Sequence, residues 1–176
     1  MNESKRTPKQ RAEQFVAALR HVRNDRGKLA GLRRGLSPAT VMDAWPIVVD
    51  LGGDIGQPVF VVTAALFASH PKESNAHNFG EVCRQIAQGE GVKIADSFER
   101  RFRRLLASSD ASDVMDQLRS WVQLAASKGV GINYESLFAD LWNWSWYADE
   151  IRVKWARAFW QSGETSELQP ATATTE

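Results

Sequence analysis

Four of the five residues from Arg100 to Arg104 are arginine. The chemistry this residue type offers is recognition of anions, because its planar fork matches phosphate oxygens geometrically. On a helix, Phe98, Phe102, Leu105 and Leu106 fall on one face, the spacing of an amphipathic segment. Arg100, Arg103 and Arg104 point the other way, with Arg101 at the border. Arg100 is at helical contact spacing from both Arg103 and Arg104. Like charges so placed weaken an isolated helix by about 0.2–0.5 kcal/mol per pair. Glu99 offsets only part of this. Such crowding suits an anionic partner. A solvated face that uses arginine as a helix former is equally compatible with this stretch taken alone.

Other chemistry finds less support. His21, His70 and His77 are the only histidines. His70 and His77 share a segment with Glu73, but paired metal-ligand spacing is missing, so no metal is expected. Cys83 sits on an apolar helical stripe, which favours burial over catalysis. Neither Gly-x-Ser-x-Gly nor His-Glu-x-x-His occurs, and the glycines from Gly52 to Gly56 lack the Lys-Ser/Thr pair of a phosphate loop. No catalytic residue or cofactor is assigned. Trp142, Trp144, Trp146 and Tyr147 could stack bases. Core and subunit interface are the favoured reading, and the three tryptophans fan so widely that one of them must be exposed or meet a partner.

The elements that hold these groups are helical throughout. The chain has 176 residues, 43% hydrophobic, with a formal net charge of +1. A real core is therefore available, and anion binding has to come from local clustering of charge. A single cysteine excludes an intramolecular disulfide and fits a reducing, cytoplasmic compartment. The start of the chain lacks the apolar stretch of a signal peptide. The apolar run Pro58–Ala68 is shorter than the roughly 20 residues that span a bilayer, so no membrane is expected. Thr7-Pro8-x-Gln10 reads as a capped helix start, with Asn24 to Gly27 as its stop. Lys28 to Arg34 is a short helical turn closed by Gly35, and Gly31 and Gly35 would admit a close backbone. Ser37-Pro38 starts a helix that Pro46 limits. Pro58–Ser69 is a buried helix, Asn78 caps another that Gly89 ends, and Asn133 caps the last, with an interruption at Ser145 to Asp149. Glu90 to Lys93 is a turn and domain seam. Residues 163–176 have the composition of a disordered tail. The fold class is all-α.

Basic groups recur at Arg20 to Arg34, at Arg84, at Arg100 to Arg104 with Arg119, and at Arg152 to Arg157. Asp110 to Asp116 and Glu164 to Glu176 hold acidic ones. Such segregation points to one basic surface that tracks a phosphate backbone in a salt-sensitive, sequence-blind manner.

Four segments carry a family resemblance. They are Gly27-Lys28-Leu29-Ala30-Gly31-Leu32-Arg33-Arg34-Gly35, Phe98-x-x-Arg101-Phe102-x-x-Leu105-Leu106, Leu118-Arg119 and Trp155-Ala156-Arg157-x-Phe159. In this order, across Phe15 to Trp160, the chain resembles the CasB family, the small subunit of type I-E CRISPR surveillance complexes (Cascade). The resemblance implies a non-catalytic protein of two small helical bundles packed together, here 8–92 and 93–162. It implies the other Cascade subunits, the guide RNA and a second copy of the chain as partners. Target DNA, including the displaced strand, would lie on a basic surface, with base pairing supplying specificity. The family's basic positions correspond to Lys28, Arg33, Arg34, Arg101, Arg119 and Arg152. Arg100 and Arg104 join them from helical geometry alone. The alternatives are a sequence-specific DNA-binding regulator and a helical protein-protein adaptor.

Overall fold

The computed structural model describes residues 7–89 and 94–161. The expected seam at Glu90 to Lys93 and the tail 163–176 lie outside the described residues. The described chain forms eight α-helices and no strand: α1 (Pro8–His21), α2 (Arg26–Arg33), α3 (Val41–Asp50), α4 (Pro58–Ser69), α5 (Phe79–Gln88), α6 (Asp96–Leu106), α7 (Ala111–Lys128) and α8 (Tyr134–Trp160). A 3₁₀ turn, Arg34–Leu36, follows α2.

The helix ends follow local chemistry. Thr7 and Gln10 form a reciprocal capping box with Pro8 at the first helical position, which satisfies two otherwise orphaned N–H groups. Asn78, Asp110 and Asn133 cap α5, α7 and α8 with their side chains. Gly129 closes α7 at φ +66°, a conformation that suits glycine. α4 buries nine of its twelve residues, which is why it shows no amphipathic stripe.

Three boundaries differ from the sequence expectation. α1 ends at His21, and Asp25 caps α2 through the Lys28 amide at 2.9 Å. Gly27 is thus inside α2, because the aspartate cap overrides the glycine as a stop. Pro46 also fails to limit its helix, since α3 runs on to Asp50. Ala44 and Val48 are buried while Met42 and Pro46 are exposed. The carbonyl that Pro46 leaves unbonded is that of Met42, on the side open to water, and burial of the opposite face holds the helix together. α3 itself starts at Val41, not at Ser37-Pro38. The Thr40 hydroxyl donates to the Arg34 carbonyl at 2.9 Å and organises the intervening turn.

α8 binds the rest together. Tyr147 has non-helical angles (φ −131°, ψ 32°) and kinks it, within the interruption expected at Ser145 to Asp149. Before the kink, Phe138 meets Phe15 and Phe60, and Tyr134 meets Phe67. After it, Trp155 meets Phe79, and Phe159 stacks on Phe102 at 3.9 Å. One helix therefore serves α1 and α4 with its first half and α5 and α6 with its second. Asp140 bridges the kink, accepting from Trp155 Nε1 at 2.7 Å and from the Lys154 ammonium. Gly80 lets α5 touch α8 backbone to backbone, for a Cβ there would lie 2.1 Å from the Trp155 carbonyl oxygen.

Candidate nucleic-acid interface

α6 presents the arginine run as its periodicity requires. Phe102 and Leu105 are buried, Phe98 and Leu106 half-buried, and Arg100, Arg101, Arg103 and Arg104 exposed. Phe98 and Phe102 pack on Trp121 of α7, which fixes the helix and turns its charged side outward. Arg103 is engaged. Its Nη2 donates to Glu99 Oε1 at 2.6 Å, and its guanidinium lies over the Trp160 ring at 5.1 Å. Arg100, Arg101 and Arg104 have neither a hydrogen bond nor an ion pair with any described residue. Three full charges thus stand in water on little more than one turn of helix. This is a local concentration of positive potential in a nearly neutral molecule.

The other expected basic positions come from far-apart segments. Arg119 of α7 donates through Nη1 to the Leu36 carbonyl at 3.4 Å. That contact sets it against the 3₁₀ turn that carries Arg34. Arg34 is exposed and donates to Asp43 Oδ2 at 2.7 Å. Lys28 is half-buried on α2, and no described residue pairs with its ammonium. Arg33 sends Nε to the Ala68 carbonyl in the last turn of α4 at 2.8 Å, where a cation complements the helix dipole. Gly31 and Gly35 admit neighbours within the chain: a Cβ on Gly31 would meet Ile47 of α3, and one on Gly35 would meet Val61 and Ala65 of α4.

Arg119 and Trp121 are two positions apart on α7, about 200° around it. The α6 arginines and Arg119 therefore flank α7 from different sides.

Arg152 is built into the fold. It donates to the Ser108 carbonyl in the α6–α7 turn and to Asp149, both at 2.7 Å, and covers the Trp144 ring at 5.5 Å. Its Nε is buried without a partner among the described residues. Arg20 is likewise committed, held between Glu73 at 2.7 Å and Glu135 at 2.8 Å. The Glu73 hydrogen bond is the largest influence on it and raises its pKa well above the ordinary arginine value despite opposing desolvation.

The candidate metal residues go to separate partners. Glu73 takes Arg20, the His70 ring meets the Val130 carbonyl at 2.7 Å, and His77 meets Glu81 at 3.1 Å. Among the described residues no three metal-ligating side chains converge. Cys83 is fully buried, and desolvation pushes its thiol well above the usual range. Of the tryptophans, Trp144 is buried, Trp142 half-buried, and Trp146 is 72% exposed.

Fold and site together define an all-helical protein with a cluster of unpaired arginines exposed on α6. The chain belongs to the CRISPR-associated Cse2 family, whose profile matches residues 28–160. Solved structures agree. A Cse2-family protein from Thermus thermophilus is 25% identical, with a TM-score of 0.70, covering 86% of this chain and 98% of that one. The CasB of M. ruber is 27% identical at a TM-score of 0.63, covering 87% and 92%. A chain of a structure described as a CRISPR RNA-guided surveillance complex has the same fold, at 24% identity and a TM-score of 0.70, covering 86% and 92%. No curated protein matches this chain.

Proposed function

We propose that this chain is the non-catalytic small subunit of an RNA-guided CRISPR surveillance complex. In that role it holds opened target DNA, including the displaced strand, on its basic surface without reading sequence. Its partners are the other subunits, the guide RNA and a second copy of itself, in the cytoplasm. Family membership and the fold shared with a chain of such a complex support the assembly. Among the described residues no helix is long and apolar enough to cross a membrane.

The observation that carries the DNA role is the trio Arg100, Arg101 and Arg104, exposed on α6 and unpaired among the described residues. Leaving three guanidinium groups unneutralised brings the fold no contact, whereas phosphate oxygens satisfy all three. Arg119 and Lys28 supply further phosphate contacts, and Arg34 joins them through nitrogens not used on Asp43. Arg33 has nitrogens left over beyond the one facing Ala68. Arg152 can join them only through groups not used on Ser108 and Asp149. Phosphate contacts of this kind position a strand and carry no sequence information. Specificity then comes from base pairing elsewhere in the assembly.

The test is a gel-shift titration at low salt with single-stranded DNA of random sequence. Arg101→Ala with Arg104→Ala is expected to weaken binding while helix content stays unchanged. The salt slope should fall by about 1.4, at roughly 0.7 per lost contact to a single strand. Unchanged affinity, or a preference for one sequence over random competitor, counts against the proposal.

A further inference from the structure

Trp146 is the tryptophan that the core does not take up. It is 72% exposed and makes no aromatic contact among the described residues. Trp142 lies flat on Phe138, and Trp144 leans on Trp155. An indole left in water has no stabilising role in the fold.

Its setting is a groove. A crevice of about 380 Å³, lined by Pro58, Val62, Met115, Trp142 and Trp146 among others, opens between α4, α7 and the middle of α8. A second crevice of about 160 Å³ shares Val62, Met115 and Asp116 with it and ends at Leu36 and Arg119. The two adjoin along α7, with Val62, Met115 and Asp116 common to both linings, and together form a mostly apolar trough. From Ser112 to Arg119 it runs about 10 Å at 1.5 Å per residue. One end holds an exposed indole, and the other holds the Arg119 guanidinium beside the turn that carries Arg34.

We propose that this trough seats unpaired nucleobases, with Trp146 as the stacking platform and Arg119 as the anchor for the neighbouring phosphate. An exposed indole beside an apolar lining suits a base, which presents a π-face whatever its identity, so stacking adds affinity without sequence preference. The cation lies at the end of the trough, where the backbone of a strand would emerge from it. Asp116, also in the lining, accepts hydrogen bonds and would take one from a base N–H, such as thymine N3–H, while turning phosphate away. A base still paired within a duplex could not enter. The trough therefore favours separated strands, which the α6 arginines alone would not. This inference rests on the proposed DNA role and adds the ligand class, an unstacked base, and the residue that receives it.

The experiment uses the full chain and a labelled fifteen-nucleotide oligothymidine, followed by fluorescence anisotropy at low salt. Trp146→Ala is expected to weaken binding at least about fivefold, the lower end for loss of one stacked base. Trp146→Phe is expected to recover most of that loss. Neither variant should change the salt slope, because no phosphate contact is removed, and neither should shift the melting temperature. A blunt-ended duplex of equal length should bind both variants as it binds the unaltered chain. Wild-type affinity of Trp146→Ala for the oligonucleotide, with Arg101→Ala plus Arg104→Ala still defective, overturns the stacking role and leaves the DNA role standing. Absence of salt-dependent binding by the unaltered chain overturns the DNA role itself. Loss of incorporation into the assembled complex with unchanged oligonucleotide affinity makes the trough a seat for protein and overturns the inference as well.

Discussion

Arg104 on α6 and Arg152 on α8 are the same residue type on neighbouring helices, and they do opposite things. Arg152 reaches into the α6–α7 turn, where its Nη2 meets the Ser108 carbonyl at 2.7 Å, and its plane covers Trp144. Arg104 stands on a helix face with no partner among the described residues. A count of arginines would score the two alike. The difference is whether the fold has already satisfied the charge. A satisfied guanidinium has to break good hydrogen bonds before it can serve phosphate, and a free one exchanges only water. Arg20, between Glu73 and Glu135, stands with Arg152. Arg100 and Arg101 stand with Arg104.

The largest effect that would sharpen this contrast comes from Arg152→Ala. It leaves the Ser108 carbonyl without its charged donor in a part-buried turn, at a cost of about 2 kcal/mol. The exposed Asp149 contact adds little. For a domain of this size the melting temperature should fall by roughly 4–8 °C. The salt slope for DNA should stay as it was. A calorimetric scan showing an unchanged melting temperature, together with a reduced slope, would put Arg152 among the binding residues and dissolve the contrast.

Arg119 tests the middle of the range. Its single hydrogen bond, to the Leu36 carbonyl, is long at 3.4 Å. Arg119→Ala should therefore change stability by less than about 0.5 kcal/mol. It should lower the salt slope by about 0.7 for a single strand. A large stability loss with no change in slope would move Arg119 to the side of Arg152.

These distinctions were unevenly legible in the sequence. Thr7-Pro8-x-Gln10, the cap at Asn78, the buried helix Pro58–Ser69 and the break near Tyr147 could all be read locally, because caps, breakers and apolar runs act over one or two turns. The amphipathic split of α6 is of the same kind. Gly27 and Pro46 misled, since a neighbouring cap and tertiary burial outweighed local propensity. Which arginines are committed was not legible at all. Arg33 ends on the carbonyl of Ala68, 35 residues on, and Arg152 on that of Ser108, 44 residues back. Every residue has a carbonyl, so nothing in the chain marks those as acceptors. The trough beside Trp146 escaped for a related reason: it exists only where α4, α7 and α8 meet. The width of the tryptophan fan gave the one available signal, that at least one indole would stay outside.

The finest version of the comparison lies within α6 itself. Arg103 and Arg104 are adjacent, both exposed and about 100° apart on the helix, and differ in pairing. Glu99 meets Arg103 at 2.6 Å and already offsets its charge, while Trp160 covers its plane at 5.1 Å. An i,i+4 pair this exposed contributes only about 0.3–0.5 kcal/mol to stability, and the ring contact about 0.5–1 kcal/mol. Arg103→Ala should thus lower the melting temperature by a few degrees at most. In the salt titration it should reduce the slope by clearly less than Arg104→Ala, because a guanidinium already held by Glu99 and Trp160 gives up less phosphate contact than a free one. Equal slopes for the two variants would mean that proximity alone decides, and that internal pairing does not govern which guanidinium groups on this surface meet the strand.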